Sequence, residues 1–396
     1  MKKRLLLFVL AVAVGFSSCQ KKTTPASANA DEQLVQNNEQ VIPGSYIILY
    51  DKTDSGFKAA PADSKARKEQ VLNVSKVVFK TAGVQFSQPH QVYGTAVKGV
   101  AVHLTSEEAN LIRNQKGVQG IYPDKMVTLA KPGSTTSTPP AQVIPYGVIR
   151  TGHATYTGTH KAWIIDTGID LDHPDLNVDV AYGYLAPGIR TRTGFDDDNG
   201  HGSHCAGIVA AIDNEIGSIG VAAGAFVVPV KVLDKRGSGA YSSILAGIDY
   251  VAANASPGDA ANLSLGGGAY DPIDQAVQAL GNAGIFVAMA AGNESDDANN
   301  HSPARANGTN LYTVSAMDQN DVFAYFSNYG NPPIDYCAPG VSIFSTYKDA
   351  GYATLSGTSM ASPHVCGLLL LTNGNIQTDG YVLNDPDGNP DPIAHN

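Results

Sequence analysis

The chain has 396 residues, 43% of them hydrophobic and 16% charged, and a formal net charge of −10. That is more length than one small domain needs and enough apolar material for a substantial core. The acidic balance, with no basic cluster beyond the extreme N-terminus, excludes nucleic acid as an expected partner, and four cysteines are too few for a disulfide framework.

In chain order, residues 1–18 form a signal peptide: Met1-Lys2-Lys3-Arg4 is positive, Leu5 to Phe16 is almost wholly apolar, and Ser17-Ser18 is a small-residue cleavage site. The apolar run is too short to span a bilayer. Cys19 directly after it resembles a bacterial lipoprotein box, which implies export and a membrane contact only through a lipid on Cys19, or else plain secretion. Residues 19–43 have no apolar period and are expected to be a flexible tether. Setting Cys19 aside leaves Cys205, Cys337 and Cys366, so at most one disulfide can form; Cys205 and Cys366, on small-residue helices, are expected to be buried free thiols.

Residues 44–130 form a small α+β domain. Ser45–Tyr50 is a strand, Ala60–Val74 a helix and Val97–Leu104 a strand; Thr105-Ser106-Glu107-Glu108 caps a second helix, and Val118–Val127 returns as strand. Residues 131–140, rich in Pro, Ser and Thr, are a linker. From 141 to 396 short apolar strands alternate with helices, which predicts a mostly parallel α/β sheet covered on both faces. Strands are expected at Ala162–Ile165, Phe226–Val232, Ala261–Ser264, Ile285–Ala290 and Leu311–Val314. Helices are expected at Gly202–Ile212, Ser242–Ala253, Ile273–Ala283 and Met360–Leu371. The stretch Thr378–Asp391 is rich in Asp, Gly, Asn and Pro and is expected to form turns.

Three stretches carry chemistry. In Trp163-Ile164-Ile165-Asp166 an apolar strand ends on a carboxylate, which suits an Asp that must orient an imidazole. In Asn199-Gly200-His201-Gly202-Ser203-His204 a glycine-flanked His stands at a helix start; His204, one turn on, is expected to pack inward without chemistry. In Ser356-Gly357-Thr358-Ser359-Met360-Ala361-Ser362-Pro363 a turn feeds an apolar helix, so the Ser359 hydroxyl sits where free N–H groups favour developing negative charge. Pro363 is expected within the tolerant first turn.

The order Asp166, His201, Ser359 resembles the subtilisin-like serine proteases, and the resemblance runs from about Ala141 to Gly367. It implies peptide-bond hydrolysis through an acyl-enzyme, with Ser359 as nucleophile, His201 as base and Asp166 as its orienter. Asn293, in Ala290-Ala291-Gly292-Asn293, would be the oxyanion donor beside the Ser359 N–H. No Gly-x-Ser-x-Gly elbow surrounds Ser359, which argues against an esterase. Residues 44–130 resemble the ferredoxin-like inhibitory propeptide of that family, whose tail lies in the substrate cleft of a self-inhibited precursor. Protein or peptide substrates would add as strands to Gly237–Tyr241 and Asn262–Gly267, with Gly237, Gly239, Ser264, Leu265 and Gly266 as contacts. Asn300–Ala304 would wall the P1 pocket, which takes the side chain of the residue whose carbonyl is attacked. The resemblance also implies structural Ca2+ held by the side chains of Gln142, Asp175 and Asn214 and the carbonyls of Ile212, Ile216 and Ser218. A monomer is expected.

Overall fold

Every residue of the strand Ala162–Asp166 is buried, and alternate side chains enter separate cores, Trp163 and Ile165 on one face, Ala162 and Ile164 on the other. A strand covered on both faces needs no polar side, which is why its sequence is an unbroken apolar run. The computed structural model describes residues 40–53, 55–57, 61–129, 135–136 and 139–396. The signal peptide, Cys19, most of the tether and residues 131–134 and 137–138 of the linker lie outside the described residues.

The large domain is built on a sheet ordered Gln377–Tyr381, Pro392–His395, Ile334–Pro339, Leu311–Met317, Phe286–Ala290, Ala260–Leu263, Ala162–Asp166, Phe226–Lys231 and Asn177–Val178. Its pairs are parallel except the outermost, Gln377–Tyr381 on Pro392–His395. The α-helices among the described residues are α1 (Ser64–Ala82), α2 (Ser106–Arg113), α3 (Tyr146–Thr151), α4 (His201–Ala210), α5 (Tyr241–Asn254), α6 (Asp271–Asn282) and α7 (Thr358–Thr372). Residues of α4 and α7 share one core, those of α5 and α6 the other. The chain leaves Ala162–Asp166 toward Phe226–Lys231 on one side, and leaves the neighbouring Ala260–Leu263 toward Phe286–Ala290 on the other. A crevice opens at the carboxyl ends of strands where the winding reverses in this way, and that is where Asp166 and Ser264 sit.

The small domain is an antiparallel sheet ordered Val118–Thr128, Gln40–Tyr50, Gly99–His103 and Gln91–Tyr93, backed by α1 and α2. Ile48 and Tyr50 pack with Val71 and Phe79 of α1, whereas Ile47 and Leu49 join the core that contains α5 and α6. The two domains thus complete one hydrophobic core. Polar contacts fix the docking. Asp249 on α5 is buried and accepts the N–H groups of Gly94, Thr95 and Ala96 at 3.1, 2.6 and 2.8 Å, while Asp124 accepts the Ser242 N–H near the start of α5 at 3.1 Å.

Several boundaries differ from expectation. The first strand starts at Gln40, inside the expected tether, because Gln40 and Val41 pair with Met126 and Lys125. Thr135 and Thr136 of the expected linker pair with Ala353 and Tyr352. Helix α1 begins after the Asp63 cap and runs to Ala82, where Gly83 closes it in the left-handed region. Gln377–Tyr381, expected as turn, is a strand. All of its side chains are exposed; backbone pairing and the Arg150 guanidinium, which donates to Asp379 Oδ2 at 3.0 Å and Asp379 O at 2.8 Å, hold it, and no apolar alternation announces it.

Candidate active site

Asp166 ends its strand fully buried, and both carboxylate oxygens lie 2.9 Å from His201 Nδ1. His201 opens α4 because Gly200 turns the chain at φ +112°, and a side chain on Gly200 would collide with the Tyr347 ring. Asp197 supplies the cap: its Oδ1 accepts the N–H groups of Asn199 and Gly200, and its Oδ2 those of the Ser203 N–H and hydroxyl. Sequence reasoning missed Asp197, although an Asp just before a glycine-led helix is a capping signal. Burial works against the His201 imidazolium, but the Asp166 carboxylate, with Cys205 adding, outweighs it and holds His201 well above the ordinary histidine range. His204 is buried as expected. Its Nε2 faces the carbonyls of Ile343 and Ala353 at 3.0 and 3.1 Å, and burial pushes its pKa down to about 3.

Ser359 is the second residue of α7, its hydroxyl donating to Ser264 O at 3.1 Å; His201 Nε2 is buried with no hydrogen-bond partner. Catalytic hydrogen bonds are often long before a substrate is in place. Pro363 is the sixth residue of α7 and so lies beyond the first turn, contrary to expectation. It has no N–H to give the carbonyl of Ser359 one turn back. That carbonyl instead accepts the Ser264 hydroxyl at 2.7 Å and the Cys205 thiol at 3.5 Å, so the proline is accommodated by a side chain from the neighbouring strand end. Cys205, Cys337 and Cys366 are all free and buried.

Asn293 Oδ1 accepts the Thr358 N–H and hydroxyl at 2.8 and 2.9 Å, which fixes the direction of the amide. A Cβ built on Gly357 would stand 3.6 Å from Asn293 Nδ2 and 3.7 Å from Ser359 N, so the two expected oxyanion donors border one spot that glycine leaves open. The loop is held by Asn328, unnoticed in the sequence. Its buried amide bonds Ala291 O, the N–H groups of Glu294 and Asp296, and Glu294 Oε2.

The cleft beside these residues is filled by the small domain. Met126, Val127 and Thr128 pair antiparallel with Ala240, Gly239 and Ser238, and the Leu129 N–H donates to Gly237 O at 2.9 Å. Leu129, Leu265, Gly266, Asn293 and Ser359 line one pocket. Of the expected contact residues, Gly237 and Gly239 bond the inhibitor segment and Leu265 and Gly266 line the pocket, whereas the Ser264 carbonyl and hydroxyl face Ser359 instead.

Residues 163–378 match the subtilase family, and residues 45–130 match the peptidase inhibitor I9 family. The chain belongs to the subtilase family. It is 35% identical over 379 residues to an extracellular serine proteinase of Thermus sp. (strain Rt41A), covering 93% of this chain and 90% of that one. It is also 35% identical over 325 residues to a thermostable alkaline protease of Halalkalibacterium halodurans, covering 80% and 84%. A crystal structure of a cold-adapted subtilisin-like serine proteinase superposes with a TM-score of 0.55 at 31% identity, covering 63% of this chain and 97% of that one.

In this subtilase the expected calcium ligands do come together. Gln142 N–H bonds Glu215 O, Val143 N–H bonds Gly217 O, and Ile212 N–H bonds Asp175 O, which gathers both loops around Asp175. The Asp175 carboxylate is buried, and burial pushes its pKa up to about 6. Its Oδ2 takes the Ser218 N–H and the Tyr352 hydroxyl, and its Oδ1 takes Asn214 Nδ2 at 2.8 Å. Gln142 Nε2 faces Asp213 Oδ1 at 3.1 Å, and exchanging N and O there would present an oxygen to a cation; the Asn214 amide is fixed as it stands, because its Oδ1 accepts the Ile216 N–H at 2.7 Å while Nδ2 donates to Asp175 Oδ1. Oxygens are then on offer from Gln142, Asp175, Asn214 and the carbonyls of Ile212, Ile216 and Ser218, the hard donor type that Ca2+ takes.

Proposed function

We propose that the chain is an exported endopeptidase made as a self-inhibited precursor, cutting peptide bonds through an acyl-enzyme. The observation that carries this reading is the antiparallel pairing of Met126–Thr128 with Ser238–Ala240, which leads the inhibitor-domain chain to the pocket shared by Ser359 and Asn293. A substrate would take the same ladder, since main-chain pairing binds without requiring one sequence. His201 Nε2 removes the Ser359 proton as the hydroxyl attacks, Asp166 fixes the tautomer by accepting from Nδ1, and His201 then returns the proton to the leaving amine. Asn293 and the Ser359 N–H hold the oxyanion. Export rests on the signal-like N-terminus and on the extracellular nature of the Thermus relative; a lipid on Cys19 would keep the enzyme at the envelope.

Activity on an unfolded protein tests the reading. Below its pKa His201 already carries the proton it must accept, so the enzyme is idle; above it, His201 is a base. With that pKa raised, hydrolysis is expected to climb with pH along a limb whose midpoint lies above the ordinary histidine value of about 6.5. Hydrolysis that is absent, or flat across neutral pH, would sink the reading.

We further infer that Ca2+ held by Gln142, Asp175, Asn214 and the carbonyls of Ile212, Ile216 and Ser218 stabilises the fold, its charge compensating the buried Asp175 carboxylate. At calcium about a thousandfold above its Kd the ion contributes about 4 kcal/mol, which corresponds to roughly 10 °C in Tm. A chelator is expected to lower Tm by that amount in the wild type and to leave Asp175→Asn nearly unmoved. Equal sensitivity in both proteins would assign any calcium effect elsewhere.

A further inference from the structure

The pocket beside Ser359 is walled mainly by small and apolar residues, among them Leu265, Ala291, Gly292 and Ala304, and His301 is the only titratable side chain among its described lining residues. Its imidazole is 14% exposed: Nε2 is hydrogen-bonded to Asp296 Oδ2 at 3.2 Å, and Nδ1 faces Glu294 Oε2 at 3.6 Å. The ring thus stands between the pocket and both carboxylates, neither of which is among the pocket's lining residues. Glu294 stands close behind the pocket, because a Cβ on Gly292 would come within 2.6 Å of its Oε2. The same oxygen accepts Asn328 Nδ2 at 2.7 Å, which holds it there.

We propose that His301 sets the P1 preference of this subtilase, screening the Glu294 and Asp296 carboxylates so that the pocket takes uncharged side chains, and that without it the pocket takes lysine and arginine. The inference rests on the peptidase reading above. A P1 lysine in the wild type meets the imidazole ring at the wall, with both carboxylates behind it and out of reach. A P1 glutamate meets the field of those same carboxylates, which repels it. Removing the ring uncovers Glu294, whose side chain is 23% exposed, and makes it the dominant field in the pocket, which favours a cation.

The test uses the mature enzyme, quantified by titration with a covalent serine reagent, on peptide p-nitroanilides that differ only at P1: leucine, lysine or glutamate. The wild type is expected to favour leucine over both others in kcat/KM. In His301→Ala the lysine-to-leucine ratio is expected to rise about tenfold or more, and adding Glu294→Gln to reverse most of that rise. His301→Gln replaces the ring with a narrower side chain that covers the carboxylates less completely, so a rise is expected there too, and it carries the test if His301→Ala does not mature. A ratio unchanged within about twofold in both variants, or a rise that survives Glu294→Gln combined with Asp296→Asn, would overturn the role of His301. A wild type that cuts none of the peptides overturns the peptidase reading, and this proposal with it.

Discussion

Ser359→Ala is expected to remain a full-length precursor under conditions in which the wild type cuts itself, and to lose about 10⁶-fold in kcat on added peptides. The hydroxyl stands at the start of α7 beside the pocket. The Cys205 thiol, 3.5 Å from Ser359 O, cannot replace it, because burial raises its pKa and its position lies beneath His201. Alanine removes the Oγ and with it one hydrogen bond to Ser264 O, a small loss beside the packing of α7. The variant should therefore fold, and intact mass decides the outcome. Wild-type enzyme added in trans should cut the variant at the same bond, which excludes misfolding as the reason for its persistence. Self-cutting by Ser359→Ala would mean that another group, or a contaminant, does the chemistry.

Asn293→Ala is expected to lower kcat by about 10²–10³ with KM little changed, because its donor is aimed at charge that exists only in the transition state. The substitution also removes the acceptor for the Thr358 N–H and hydroxyl, and so could disturb the start of α7. Thr358→Val separates the two effects. It loses the hydroxyl bonds to Asn293 Oδ1 and from the Gly292 N–H but keeps the amide, and a cost of about tenfold or less is expected. Comparable losses in both variants would show that Asn293 acts through the loop rather than on the oxyanion.

The parts of this site that could be read from the sequence are those in which local grammar and chemistry coincide. Asp166 closes an apolar run, and His201 and Ser359 each follow a glycine-marked helix start. The parts that could not be read are made between segments far apart in the chain. Asp249 is a lone carboxylate on an otherwise uncharged helix, a visible oddity, but its partners Gly94, Thr95 and Ala96 lie about 150 residues away. Asn328 reads as an ordinary turn residue until its amide is found bracing the Asn293 loop. The misplaced turn of Pro363 has the same origin, since only the fold shows that the Ser264 hydroxyl is there to satisfy the carbonyl the proline leaves open. Gln377–Tyr381 was hidden because an exposed edge strand can be made of almost any polar residues.

The strand Val118–Thr128 ends on the edge strand of the cleft, Ser238–Ala240, and while the chain is whole this is an intramolecular contact. Its occupancy is then set by an effective concentration of the order of millimolar, independent of how dilute the protein is. A single cut beyond Leu129 removes that guarantee without altering one of the contacts. From then on the inhibitor segment must find the edge by diffusion, and the free enzyme exposes an unpaired backbone that any extended peptide can match. On the self-inhibited reading proposed above, latency follows from connectivity before the cut and from dilution after it, so cleaved molecules are expected to stay silent when crowded and to become active once they disperse.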